Sequence, residues 1–401
     1  MFPIKTIEDM ELAYYGNSLR YLQKADANIL TTTSGVFNTV FGAYAWANLN
    51  LEANIWSVLP KYVWDRSGFR IITAKVGNLA GTNITTLGGT PEEGVIADTA
   101  KPTVEEVSVK PKIAQLPFGA SVQMEWLANN SKDDIWGSLA SLRLFNATQH
   151  KELLAQMLFS DVEGAAAGAS ADFTGTNNFE TLDRIVSADS EEDQLGGTYA
   201  DWYDPWDTLD RDSLTKYDAT VVSASGTIGT NDVLTNTVIL EFLRKIRKAG
   251  GQDPNVLVGS HEVYSEIQEI YSPQVRYPIG ESIIQIDVNG VQTFNGQGVG
   301  LHVSSLYGIP FIPSKDAPSY SSDTNEVGRL FAFDTSDHDG FGYPRLGIMI
   351  AVPTVYNEAT HNTQGWPFTL SKFVEKGLYW TMGETICRRF NGQGKIRDIK
   401  L

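Results

Sequence analysis

Apolar positions recur at helical intervals over residues 35–59, where Phe37, Val40, Phe41, Tyr44, Leu51, Ile55 and Leu59 share a side until Pro60 ends the run. The spacing predicts a helix following a loose arm. From Phe69 to Val76 the pattern turns to that of a strand. Thr103 to Val122 is again rich in β-branched residues, with Pro111 and Pro117 marking edges or bulges. Between these strands, Gly77 to Pro102 carries Gly81, Gly88, Gly89, Gly94, Pro91 and Glu92-Glu93 but few apolar anchors. An excursion of that length is uncommon in a compact domain; it either moves freely or lies on another molecule.

Ser131-Lys132-Asp133-Asp134 places a hydroxyl at a helix N-cap and acids in the first turn, where the dipole favours them. Ile135, Leu139, Leu142 and Phe145, then Leu153, Leu154, Met157 and Leu158, continue an apolar stripe to about Ser160, a helix of roughly 45 Å at 1.5 Å per residue. A Gly/Ala/Ser connection follows over Gly164 to Ser170. Asp232 to Ala249 is helical again, with Val238, Ile239, Phe242 and Ile246 inward, bases from Arg244 to Lys248, and Gly250-Gly251 as the stop. A strand at Val256 to Val258 and a helix from His261 to Tyr271 come next. Asn289-Gly290, between apolar runs, signals a tight hairpin. The later segments are short and β-rich.

Composition narrows the class. At 401 residues the chain has room for two to three units of roughly 150 residues each. With 42% hydrophobic and 20% charged residues it folds as a globular protein. Its net charge of −17 has the wrong sign for gripping nucleic acid through phosphates. Eleven acids against three bases between Asp183 and Asp218 supply about half of that charge, and the stretch reads as a solvated surface insertion. The lone Cys387 excludes internal disulfides and thiolate clusters. Glu8, Asp9 and Glu11 interrupt any signal peptide, and no run of about 18 apolar residues crosses a membrane. A product made and kept in the cytoplasm is expected, where the sequons at Asn83, Asn129 and Asn146 carry no glycan.

No local motif supports a reaction. There is no G-x-S-x-G elbow, and Cys387 sits in an apolar strand pattern. His261-Glu262 opens like a zinc-binding H-E-x-x-H, but Ser265 stands where the second histidine belongs. Gly296 to Gly300 and Gly392-Gln393-Gly394-Lys395 lack phosphate-loop spacing and read as turns. Asp201, Asp204, Asp207 and Asp210 alternate with Trp202, Tyr203 and Trp206 without the calcium-loop pattern, so an exposed loop pinned by aromatics is expected. His150, His261, His302, His338 and His361 show no ligand spacing. No catalytic, cofactor-binding or metal-binding residue is assigned, no cofactor is expected, and the chain reads as a non-enzyme. A polar β-excursion and a loose arm must find cover on neighbours, so an obligate assembly is the physical expectation.

The order of arm, excursion, long helix and later α+β segment resembles the major capsid proteins of tailed viruses, the Hong Kong 97-type fold. Phe173-Thr174-Gly175-Thr176-Asn177-Asn178-Phe179 looks like the stretch that leads that family back into its peripheral domain. Gly308-Ile309-Pro310-Phe311-Ile312-Pro313 is similar to its G-x-P-hydrophobic-hydrophobic-P segment. Asp253 to Val258 resembles its strand-to-helix unit, and Phe373 to Arg388 its C-terminal strands. The resemblance implies an α+β chain divided into an N-terminal arm and helix (1–67), an E-loop (68–118) and a peripheral P-domain with spine helix and acidic insertion (119–217). An axial A-domain (218–339) and a return to the P-domain with C-terminal strands (340–401) complete it.

It further implies a virion protein assembled in the host cytoplasm, whose pentamers and hexamers close an icosahedral shell around double-stranded DNA. The implied partners are its own copies, the portal, cement or minor capsid proteins and a separate scaffold; neither membrane nor sequence-specific DNA contact is among them. Some relatives cross-link a loop lysine to an asparagine with a nearby glutamate handling the proton. Here Gly377 stands at the asparagine's place while Glu384 keeps the glutamate's offset, so a non-covalent shell is expected and Glu384 reads as a buried ion-pair or hydrogen-bond residue. The arm follows Met1 almost at once, so no N-terminal maturation cut is expected. An encapsulin-like nanocompartment is the nearest alternative. A carbohydrate-binding β-rich protein using the Trp202 to Trp206 patch is the remote one.

Overall fold

The computed structural model describes residues 52–74, 92–93, 103–122, 139–160, 162, 177–195, 203–207, 209, 211, 217–271, 304–322, 325–337, 343–359 and 374–401. In chain order the elements are α1 (Asn54–Val58), β1 (Lys61–Val63), β2 (Gly68–Ala74), β3 (Thr103–Ser108), β4 (Lys112–Ser121) and α2 (Leu139–Leu158). Then come α3 (Leu182–Ile185), α4 (Asp189–Leu195), β5 (Thr220–Ser223), α5 (Asn236–Gly250), β6 (Val256–Gly259) and α6 (His261–Tyr271). The rest is strand: β7 (Ser304–Leu306), β8 (Ile309–Pro313), β9 (Ser319–Ser322), β10 (Asn325–Phe333), β11 (Leu346–Ala359), β12 (Val374–Cys387) and β13 (Gly394–Lys400). The expected arm, most of the 35–59 helix, most of the 77–102 excursion, the start of the long helix, the 164–170 connection and the Asn289-Gly290 hairpin lie outside the described residues.

Three sheets organise these elements. One has the order β1-β11-β12-β4, and a second is the antiparallel ribbon β2-β3. The third runs β5-β13-β10-β6-β8-β7, with β9 added along β10. Period-two alternation explains why this third sheet is covered on both sides. On β10, Phe331 and Phe333 enter one core while Leu330 and Ala332 enter another, and on β6 Val256 and Val258 part from Leu257 in the same way. Helices α5 and α6 cover the second face through Ile239, Phe242, Ile246, Val263 and Ile267. The first face is covered by α1, the end of α2 and the segment around α3. The last strand, β13, lies between β5 and β10, so residues far apart in sequence close one sheet.

Local signals account for several boundaries. Helix α5 starts later than Asp232 because the Thr235 hydroxyl caps it, accepting from the Val238 N–H at 3.4 Å; it stops at Gly251, whose φ of 74° suits glycine. Tyr307 and Gly308, both at positive φ, form the two-residue turn between β7 and β8. The long strand expected from Thr103 to Val122 is instead two strands, broken around Pro111. Pro117 sits in β4, an edge strand, where its missing N–H costs no ladder bond.

The long helix also departs from a purely apolar stripe. Its buried positions include Arg143, Asn146 and His150 as well as Leu142, Leu154, Ala155 and Leu158, whereas Phe145, Leu153 and Met157 are only partly covered. The sheet beneath offers polar partners that periodicity cannot display. Arg143 pairs with Glu358 at 2.6 Å, and His150 Nε2 lies 2.9 Å from the Thr381 hydroxyl.

Candidate functional site

The acid-rich stretch is not solvated throughout: among its described acids Asp193 is exposed, but two others lie in the interior. Asp183 and Glu191 are fully buried against the first face of the large sheet, where Arg329 on β10 and Lys395 and Arg397 on β13 project toward them. Lys395 Nζ lies 2.9 Å from both Asp183 Oδ1 and Glu191 Oε2, Arg397 pairs with Glu191 at 2.7 Å, and Arg329 pairs with Asp183. A bulge in the β10–β13 pairing puts Asp398 at φ 58°, and its carboxylate meets the Arg397 guanidinium at 3.1 Å. These partners come from far along the chain, so a count of neighbouring charges misreads the segment. Burial pushes Asp183 upward, but Arg329, Lys395 and Arg397 outweigh it and hold the carboxyl at about 2.

Next to this seam, the buried Arg211 directs its guanidinium at five backbone carbonyls. Nε donates to Tyr203, Nη1 to Ser187 and Tyr217, and Nη2 to Arg184 and Ile185. The five donors of an arginine thus fix a segment that lacks regular ladders of its own. Tyr203 and Trp206 are buried too, so the aromatics of the aspartate-rich loop belong to the core and do not merely pin an exposed loop. Asp201, Trp202 and Asp210 lie outside the described residues.

Trp206 leads to the root of the ribbon. Held at φ 57°, it donates its backbone N–H to Glu180 at 2.8 Å and its indole N–H to the Thr385 carbonyl at 3.0 Å. Its ring packs edge-on against Phe69 of β2 and against Phe390, each at 6.1 Å. Beside it Glu384 of β12, fully buried, accepts from the Glu180 N–H at 2.5 Å and the Thr385 N–H at 3.0 Å, and pairs with Lys112 of β4 at 3.2 Å. Burial, only partly offset by Lys112, pushes Glu384 up to about 7. A carboxyl raised above its ordinary value of 4.5 makes the folded state bind the extra proton, so stability falls as pH rises from about 4.5 to 7. Glu384→Gln keeps an acceptor for both N–H groups. It is expected to flatten that fall, worth roughly 3 kcal/mol, in urea unfolding of the subunit at pH 5 and pH 8.

From this root the ribbon presents an outer face of alternating character. Arg70 and Glu106 pair across the strands at 2.6 Å, while Ile72 and Val104, also opposite each other, are 66% and 45% exposed. A two-stranded ribbon is marginal alone, and an uncovered apolar pair on it invites a partner. Its inner face is held by Phe69, Ile71 and Val107.

The other sequence candidates resolve as structure. Cys387 is buried in β12, its thiol pushed up to about 12 by burial. His261 opens α6, with Nε2 3.4 Å from Glu52. Phe390–Gly392 forms a turn ahead of β13. His302, His338, His361 and Gly296 to Gly300 lie outside the described residues. Among the described residues no group of three or more His, Cys, Asp or Glu could hold a metal ion, and no helix is long and apolar enough to cross a membrane. Sequence reasoning missed Arg329 and Lys395, whose roles depend on distant partners, and Arg211, whose carbonyl partners lie 6 to 27 residues away on a segment without regular periodicity.

No family model matches the chain, and no curated protein matches it by sequence. Solved structures do. The capsid asymmetric unit of cyanophage A-1(L) superposes with a TM-score of 0.57 at 14% identity, covering 92% of this chain and 98% of that one. The capsid of a native GTA particle gives 0.49 at 11% identity, covering 98% and 99%. The holo-SrpI encapsulin complex from Synechococcus elongatus gives 0.40 at 10% identity, covering 89% and 93%. This chain, mixed α+β throughout, shares the Hong Kong 97-type fold of the cyanophage capsid.

Proposed function

We propose that this chain is the major capsid protein of a tailed double-stranded DNA virus, a non-catalytic subunit whose pentamers and hexamers close an icosahedral shell around the packaged genome. The observation that carries the reading is the fold shared with the cyanophage A-1(L) capsid over 92% of the chain. The uncovered Ile72–Val104 pair on a ribbon without a third strand supports it, because such a face is stable when a neighbour covers it. On this reading residues 1–67 are arm and helix, 68–118 the E-loop, 119–217 the P-domain, 218–339 the A-domain and 340–401 the return, with β13 tying the return to the A-domain sheet. The portal and any cement or minor capsid proteins are then its partners in the virion, scaffolding is a separate assembly protein or absent, and the net charge of −17 suits a lumen that holds DNA without gripping it.

Electron microscopy of the purified protein tests the proposal. Closed icosahedral particles are expected, and monomers at every concentration would overturn it. DNA inside particles from infected cells supports the viral reading, whereas a cargo enzyme would assign the shell to the encapsulin class.

The shell is held without covalent links. A Cβ at Gly377 would come within 2.8 Å of Phe118 Cζ and 2.9 Å of the Tyr356 ring, so stacked aromatics occupy the place where an amide acceptor would stand. Particles are therefore expected to run as a single-chain band on denaturing gels. Gly377→Asn is expected to leave that band unchanged and to lower subunit stability by about 1–3 kcal/mol through overpacking, read by thermal melting.

A further inference from the structure

At the root of the ribbon an open cleft of about 930 Å³ lies between β2, β3 and the ends of β11 and β12. Three guanidiniums line it, Arg66, Arg70 and Arg388, against two carboxylates, Asp65 and Glu106. Both carboxylates are engaged. Glu106 pairs with Arg70, and Asp65 accepts the Tyr343 hydroxyl at 2.7 Å. Arg66 is 83% exposed and reaches Asp65 only at 3.9 Å, beyond hydrogen-bond range. Arg388 is half-buried over the rings of Tyr343 and Phe69, at 4.8 and 5.6 Å. Among the described residues its side-chain donors meet only the Pro344 carbonyl at 3.4 Å and the Met349 sulfur at 3.9 Å. Among the described residues no carboxylate lies within 4 Å of Arg388, and burial pushes its pKa below the usual guanidinium value.

Two guanidiniums without carboxylates at bonding distance, on a chain of net charge −17, form a local inversion of the protein's field. Planar guanidinium forks favour carboxylates, and two of them lining one cleft suit a pair of adjacent acids. The chain carries such a pair, Glu92 and Glu93, exposed on a turn. The exposed Ile72 and Val104 flank the cleft on the outer face that also carries Arg70 and Glu106, adding apolar area beside the charges. We infer that the cleft is the dock for the Glu92–Glu93 turn of a second copy of this chain. The inference rests on the shell reading and names one of its joints.

The test uses full-length particles and the near-absence of native thiol chemistry, since Cys387 is buried. The double variant Arg66→Cys with Glu93→Cys, treated with a short bis-maleimide, is expected to give a ladder of multimers on denaturing gels. Each single variant and the unaltered protein are expected to stay as one band. In parallel, Arg66→Glu is expected to raise the concentration needed for assembly at least tenfold, and Glu92→Arg with Glu93→Arg on the same chain to restore it. Particles that form normally but neither cross-link nor respond to the charge reversal would overturn the dock and leave the shell reading standing. A cross-link confined to one chain would overturn it in favour of a turn folded onto its own cleft. Failure of the unaltered protein to assemble at all would remove both together.

Discussion

Asp183→Asn is expected to leave the subunit about 3–5 kcal/mol less stable, enough to abolish soluble yield in a protein whose whole margin is about 5–15 kcal/mol. The reason is not the loss of an attraction alone. Arg329 and Lys395 stay buried with their charges when the carboxylate between them is gone, and the buried seam is left one counter-charge short, with Glu191 remaining to Lys395 and Arg397. Chemical unfolding measures the loss. The triple replacement Asp183→Leu, Arg329→Met and Lys395→Met separates charge from packing, because exchanging a buried ionic cluster for apolar groups of similar volume recovers most of the stability. A single variant as stable as the parent would show that the seam is not desolvated. The seam also sets the acid limit. With the Asp183 carboxyl held at about 2 against an ordinary 3.8, its contribution of about 2 kcal/mol is complete above 3.8 and is lost as pH falls through 2.

Deleting residues 77–102 is expected to abolish closed particles while leaving a folded subunit. In the ribbon Ala74 pairs with Thr103, so the deletion leaves Lys75 and Val76 as a two-residue connection, and placing Asn-Gly there supplies the favoured turn. The inner face, anchored by Phe69 on Trp206 and by Val107 in the core, is untouched. Circular dichroism and melting temperature should therefore stay close to those of the parent. Electron microscopy and sedimentation should find only free subunits or open fragments, because the excursion, assigned as the E-loop, spans between copies. Normal closed shells from the shortened chain would remove that assignment.

Much of the fold was legible because its signals are local. The glycine stop of α5, the His261 start of α6 and the strands on either side of the excursion follow from residues within a few positions of each other, whereas the Thr235 cap starts α5 later than the expected Asp232. The sense of the acid-rich stretch was not legible. Asp183 meets Arg329 across 146 residues and Lys395 across 212, and a run of acids shows nothing of the cations a fold will bring to it. The same holds for α2, where Arg143 and His150 look solvent-facing until Glu358 and Thr381 arrive beneath them. Glu384 was legible as a buried ion-pair or hydrogen-bond residue, and it is both. Lys112 as its partner, and the under-compensated Arg388, needed the sheet to be assembled first.

The position of β13 has a consequence for how copies are made. Gly394–Lys400 lies between β5 and β10 and supplies Lys395 and Arg397 to the buried charges, so an interior place in the largest sheet is filled by the residues translated after all its other strands. Contacts of such separation form late and all at once. A nascent chain still short of residue 400 has no finished core to offer a neighbour, and a prematurely terminated one never acquires it. On the proposed shell reading each subunit therefore carries its own proofreading step, which screens truncated translation products from a lattice that could not tolerate a defective tile.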